Sequence, residues 1–154
     1  MWVFVRDTIV KTHSADLRIL AVMPSDRSAA IARQLAPLKA ELLFVSRSAE
    51  AAIAIREDEV FQVALLPASL CDTEWWELWG VLALLIQRPA ILVYTHKATF
   101  QLWSGVLDSG GYELIVEPFS DEELQGAVLR AAKSFEEQHQ TTLRRDHSRC
   151  RVRC

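Results

Sequence analysis

Apolar residues along this chain fall into short dense runs, separated by longer stretches in which they recur at helical spacing. The first run is Leu17-Arg18-Ile19-Leu20-Ala21-Val22, closed by Pro24. From Asp26 to Ala40, Ile31, Leu35 and Leu38 share one face, which predicts a helix with Ser25 as N-cap and a last turn distorted by Pro37. Glu41-Leu42-Leu43-Phe44-Val45 is the second run, followed by an Ala-rich helical stretch from Ala49 to Arg56. The third, Phe61 to Leu66, stops at Pro67, and Asp72 or Thr73 then caps a helix from Glu74 to Gln87. Ala90 to Tyr94 is the fourth run; the helix after it, Thr99 to Asp108, ends at Gly110-Gly111, as a left-handed cap does. Tyr112 to Val116 is the fifth. The last helix opens on Ser120-Asp121-Glu122-Glu123, a capping box, and buries Leu124, Ala127 or Val128, Ala131 and Phe135.

Five strand–helix units with nearly continuous apolar strands predict an α/β fold, a parallel sheet covered by helices on both faces. Right-handed crossovers narrow this to a doubly wound, flavodoxin-like sheet of strand order 2-1-3-4-5. Sites in such sheets lie at the carboxyl ends of the strands, here Met23-Pro24, Pro67, Tyr94-Thr95 and Glu117-Pro118. One domain spans residues 16–137, preceded by an extension at 1–15 and followed by a basic, disordered tail at 138–154.

Composition changes this picture little. The chain has 154 residues, 51% of them apolar, enough for one hydrophobic core. Its net charge of −3 selects no partner. From His139 to Cys154, however, five arginines face a single aspartate; with no aromatic platform among them, they read as a solvated end rather than a nucleic-acid surface. Cys71, Cys150 and Cys154 make no disulfide framework, so a reducing, cytoplasmic setting is expected. No apolar run is long enough to span a membrane; the longest, Leu78 to Ile86, is broken by Gly80. His147, Cys150 and Cys154 lack the second compact pair of a zinc site, so no metal and no cofactor are expected.

Two helices carry unusual aromatic content. Trp75, Leu78, Trp79, Leu82, Leu85 and Ile86 form one core-facing stripe, which leaves Trp76, Val81 and Leu84 outside it. Trp76 is thus a candidate for a partner surface. On the next helix, Phe100, Trp103 and Leu107 are expected in the core, with Leu102 and Val106 extending an exposed patch.

The stretch Gly110-Gly111-Tyr112-Glu113-Leu114-Ile115-Val116-Glu117-Pro118-Phe119-Ser120-Asp121-Glu122-Glu123-Leu124 resembles the end of the response-regulator receiver (CheY-like) family, in which a glycine turn and a strand lead to Lys-Pro-Phe and the final helix. The resemblance extends from about Asp16 to Phe135. It implies that the acidic Mg²⁺-binding pair of receivers falls on Met23 and Pro24, the phosphoacceptor aspartate on Pro67, the Ser/Thr on Tyr94 (with Thr95 one place on), the lysine on Glu117 and the switch aromatic on Leu114. It also implies a cis Glu117–Pro118 bond. Phosphoryl transfer to a protein needs a carboxylate nucleophile, oxygen ligands for Mg²⁺ and a cation to balance developing charge; none of the three survives at these positions. The implied protein is a degenerate receiver, not an enzyme, working as a protein–protein interaction module in bacterial signal transduction or transcriptional regulation. Its partner would be a signalling kinase or a transcription regulator. The family's dimer face, formed by the fourth helix, fifth strand and fifth helix, places Leu102, Trp103 and Glu113 here. Two alternatives stand beside this reading. One is phosphorylation through a non-standard acid, for which Asp26 and Asp72 are the nearest, with Ser25 and Ser69 as neighbouring hydroxyls; all four read more simply as caps and loop residues. The other is small-ligand binding by the same architecture, poorly supported because Pro24-Ser25-Asp26-Arg27 replaces any glycine-rich phosphate loop.

Overall fold

Each apolar run forms a strand, and the strands join into one parallel sheet. The structure, a computed structural model, describes residues 3–4, 17–56, 60–68, 77–78, 80–82 and 88–151. The strands are β1 (Val3–Phe4), β2 (Arg18–Val22), β3 (Glu41–Val45), β4 (Val63–Pro67), β5 (Ala90–Thr95) and β6 (Glu113–Val116). They lie in the order β1-β3-β2-β4-β5-β6, all parallel. Strands β2 to β6 therefore reproduce the expected 2-1-3-4-5 order. Strand β1 adds a sixth, at the outer edge of β3, inside the segment read from sequence as a simple extension.

Helices α1 (Ser25–Leu35), α2 (Ser48–Arg56), α4 (Phe100–Asp108) and α5 (Asp121–Arg151) connect and follow the strands, with α3 described at residues 77–78 and 80–82. Period-two alternation along the strands divides the core in two. Ile19, Ala21, Val63, Leu65, Leu92 and Ile115 face one side, packed with Ile31 and Leu35 of α1 and with Leu124, Ala127, Val128 and Ala131 of α5. Leu20, Val22, Ala64, Leu66, Ile91 and Val93 face the other, with Ala51 and Ile55 of α2, Leu78 and Leu82 of α3 and Val106 of α4. Each fully buried Leu or Ile in these clusters contributes roughly 1.5–3 kcal/mol.

Several local expectations hold in detail. Ser120 and Glu123 close the capping box, the Glu123 amide donating to Ser120 Oγ at 3.1 Å and the Ser120 amide to Glu123 Oε2 at 3.3 Å. Gly110 has a φ of 93°, and the amides of Gly110 and Gly111 donate to Leu107 and Val106 carbonyls, a Schellman end for α4.

Others are corrected. Ser25 is the first helical residue of α1; Pro24 holds the N-cap position, and no side chain caps the helix. Pro37 does more than distort the last turn: α1 stops at Leu35 and Ala36–Leu38 continue as a 3₁₀ turn. On α4 the expected phase is reversed. Phe100 (79% exposed), Trp103 (48%) and Leu107 (38%) face outward, whereas Val106 is buried and Leu102 half-buried against the core. Both faces of α4 are apolar, so periodicity alone did not choose between them; the turn that follows did. A Cβ on Gly111 would lie 2.5 Å from Val106 Cγ1, so only glycine lets the turn close onto Val106 and hold it inward. Finally, α5 continues as helix to Arg151, through most of the segment expected to be a disordered tail. No Gly or Pro follows Gly126 to break it. The stripe formed by Trp75, Trp79, Leu85 and Ile86, together with Trp76, Leu84 and the caps Asp72 and Thr73, lies outside the described residues.

Candidate functional site

The carboxyl ends of β2, β4, β5 and β6 meet at one end of the sheet and bring the sequence-predicted positions together. Met23 follows β2 and is buried, its amide donating to the Val45 carbonyl at 2.9 Å. Pro24, beside it, is exposed at the start of α1. Pro67 is the last residue of β4, buried, directly opposite Tyr94 of β5. Glu117, just past β6, is buried at 7% exposure, and the Glu117–Pro118 peptide bond is cis. Leu114 is half-buried against the α2–α3–α4 side of the core.

Two residues that sequence reasoning missed complete the cluster. Arg27, one turn into α1, reaches across the strand ends, and its guanidinium pairs with Glu117 Oε1. His96, in the loop after β5, places Nε2 3.0 Å from Glu117 Oε2. The Arg27 guanidinium also sits over the Tyr94 ring, 5.5 Å from its centroid, a cation–π contact. One signal for Arg27 was available: an acid buried at a strand end calls for a nearby cation, and Arg27 is the first basic residue after β2.

Tyr94 fills the centre. Its hydroxyl donates to the Val22 carbonyl at 2.8 Å, so it ties β5 to β2 across β4. Burial pushes the phenol up to about 12, partly opposed by the positive charge of Arg27, and it remains a neutral donor. Met23, Arg27, Ile31, Leu65, Tyr94, Glu117 and Phe119 surround a hollow too small for a water molecule. Thr95 exchanges hydrogen bonds with the Lys97 backbone, its Oγ1 donating to the Lys97 carbonyl at 3.2 Å and accepting from the Lys97 amide at 3.3 Å.

The donor set does not suit Mg²⁺, which takes oxygen ligands in near-octahedral array. Here it would meet a thioether, two proline rings and one carboxylate already matched by Arg27 and His96. Among the described residues no group of three or more His, Cys, Asp or Glu stands together. Asp26 is exposed on the first turn of α1, and Asp72 and Ser69 lie outside the described residues. Among the described residues the cluster supplies no nucleophile at the end of β4 and no unpaired cation.

The remaining candidates lie on the α4–β6–α5 side. Trp103 is exposed and stacks obliquely on Phe100, ring centroids 6.0 Å apart, and Glu113 pairs at the surface with Arg130 at 3.2 Å. Leu102 points instead toward the core, and Trp76 lies outside the described residues. Among the described residues no helix is long and apolar enough to cross a membrane.

No protein-family model matches the chain, and no curated protein sequence is similar to it. Solved structures do match. The CheY-like receiver domain of a response regulator from Methanospirillum hungatei superposes with a TM-score of 0.68 at 22% identity, over 79% of this chain and 98% of that one. The signal receiver domain of an HD domain-containing protein from Pseudomonas fluorescens gives 0.70 at 18% identity, over 85% and 97%. The receiver domain of a sensor histidine kinase from Pseudomonas aeruginosa, solved with magnesium in its active-site cleft, gives 0.64 at 20%, over 77% and 99%. Nearly the whole of each receiver is thus matched by about four fifths of this chain, which has the fold of a response-regulator receiver domain.

Proposed function

We propose that the chain is a degenerate receiver: a binding module of bacterial signal transduction or transcriptional regulation, cytoplasmic, in which a fixed internal charge pair replaces the phosphorylation switch. The observation that carries this reading is the Arg27–Glu117 pair beside Tyr94 and Pro67. In a receiver the pocket is acidic and the lysine supplies the counter-charge. Here the signs are exchanged. The carboxylate comes from the lysine position, the cation from α1, and apolar or aromatic side chains occupy the acidic positions. An arriving phosphoryl donor meets a charge-paired cluster with no carboxylate at the end of β4, so the module acts by binding a protein rather than by catalysis. Its partner surface is the α4–β6–α5 face, where Phe100, Trp103 and Leu107 stand exposed at helical spacing beside Glu113. A signalling kinase, a transcription regulator or a second copy of the chain is the partner class.

The test is amide NMR in Mg²⁺ with beryllofluoride or acetyl phosphate, against a matched control. Unchanged resonances at Ala68, Tyr94 and Glu117 are the expected result. Saturable, Mg²⁺-dependent shifts at those three amides would sink the reading and direct mutagenesis to Asp26 and Asp72.

A further inference from the structure

Strand β3 has two different edges. In a parallel strand the N–H and C=O of one residue point to the same side, and successive residues alternate. The Glu41 amide donates to Leu17 at 2.8 Å, and the Val45 carbonyl accepts from Met23 at 2.9 Å, both toward β2. The backbone groups of Leu42 and Phe44 therefore face outward. Leu43, Phe44 and Val45 are only half-buried, so this outer edge combines free backbone pairing with an apolar border. Natural sheets seldom leave such an edge open, because it templates pairing with any extended strand.

Here the edge carries β1, in parallel register, with Val3 opposite Leu42 and Phe4 opposite Leu43. Phe4 thus stands between the two outward-facing residues. The cover is short: two residues of β1 against the five of β3. Its sequence, Trp2-Val3-Phe4-Val5, is built of strong strand formers. We propose that the outer edge of β3 is a docking site for an extended apolar segment of this chain's own sequence, and that Val3–Phe4 occupy it in cis as a replaceable strap. Recognition there is by β-augmentation: main-chain hydrogen bonds to Leu42 and Phe44, with apolar side chains along the border. The inference is independent of the Arg27–Glu117 site, which lies at the strand ends rather than at this edge.

The experiment compares the full chain with its Phe4→Pro variant, which removes the amide placed between Leu42 and Phe44. Two quantities are read: amide exchange at Leu42 and Phe44, and binding of a labelled peptide of residues 1–7 (Met-Trp-Val-Phe-Val-Arg-Asp). In F4P, exchange at those two amides should rise about tenfold or more while Leu20, Val22 and Leu65 keep their protection. The peptide should bind F4P at least about tenfold more tightly than the unaltered chain, and a control peptide with Asp in place of Val3 and Phe4 should not bind either. Unchanged exchange at Leu42 and Phe44 overturns the strap, and equal binding of the two peptides overturns the docking site. Should F4P lower core protection as well, V3G/F4G keeps every backbone amide while removing the apolar side chains, and the same two readouts apply.

Discussion

Removing Arg27 should damage the protein more than removing the charge of Glu117, and the asymmetry follows from where each side chain lies. The Glu117 side chain is 5% exposed and that of Arg27 36% exposed. Arg27→Met leaves a buried carboxylate facing, among the described residues, His96, whose side chain is 80% exposed and which is charged only when protonated. At a charge separation near 4 Å and an effective dielectric of about 20 the lost attraction is about 4 kcal/mol. Removing one partner of a fully buried pair costs about 3–5 kcal/mol. Because Arg27 is more than one-third open to water, solvent screening lowers the expected loss for R27M to about 2–3 kcal/mol. Glu117→Gln keeps the shape of the side chain, and the released Arg27 extends into solvent, so E117Q should cost about 1 kcal/mol. The double variant R27M/E117Q should be little worse than E117Q, since no orphaned charge remains. Urea unfolding at pH 7 measures all four proteins. With a slope of about 1–3 kcal/mol per molar, the gap between R27M and E117Q is a midpoint difference of roughly 0.3–2 M. If the two single losses simply add in the double variant, or if E117Q is the more damaging, the pair is not the coupled internal charge described above.

Two further predictions test the surroundings. Tyr94→Phe deletes the donor to the buried Val22 carbonyl and should cost about 1–2 kcal/mol at neutral pH. The phenol is pushed from its ordinary value of 10 to about 12 in the folded state, so its neutral form is favoured by folding. That contribution is fully present below pH 10 and is lost as pH rises from 10 to 12, amounting to about 2–3 kcal/mol. Y94F should lack this alkaline loss, and parallel stability profiles of the two proteins above pH 10 would refute the assignment. Trp103→Ala, alone or with Phe100→Ala, should change thermal stability by less than about 1 kcal/mol because both rings are on the surface; a loss of about 3 kcal/mol or more in a melting experiment would mean that they are core residues.

Much of this architecture was legible because its signals are local. The runs at 18–22, 41–45 and 90–95 are bounded by Pro, Gly or charged residues, and a strand buried on both faces has no polar positions to confuse the count. The Ser120–Glu123 box and the Gly110 turn are likewise specified within a few residues. What was not legible depends on tertiary approach. Helix α4 is apolar on both faces, so its phase was set by the closeness of Gly111 to Val106, which no periodicity encodes. A strand as short as Val3–Phe4 has no pattern of its own and is defined only by the edge of β3. The tail was read as disordered from its charge, yet nothing in it breaks a helix. At the candidate site, counting strand ends located Met23, Pro67, Tyr94 and Glu117, but Arg27 is 90 residues before Glu117 in sequence and meets it only through folding.

The residues at the strand ends also explain one another. Proline is rarely found in a central strand because it withholds a ladder donor. Here β2 pairs with β4 only as far as Ala21 opposite Leu65, and the ladder to β5 resumes at Ala68, whose amide donates to Tyr94 at 2.9 Å. By the alternation of a parallel strand, the N–H that Pro67 lacks would point toward β2 at the Val22 carbonyl, and the Tyr94 hydroxyl supplies a donor to that carbonyl instead, at 2.8 Å. Proline at that place thus leaves no backbone acceptor orphaned. It does change the electrostatics of every neighbour. With Met23, Pro24 and Pro67 around it, a cation at 117 would face Arg27 with no negative charge between them, beside a hollow too small for water. A carboxylate at 117 resolves that repulsion, and the Tyr94 ring beneath Arg27 fills space that a smaller hydroxyl residue would leave empty. Apolar filling, the aromatic ring and the carboxylate at 117 therefore form one mutually dependent set, in which the acid at 117 is the answer to the arginine on α1.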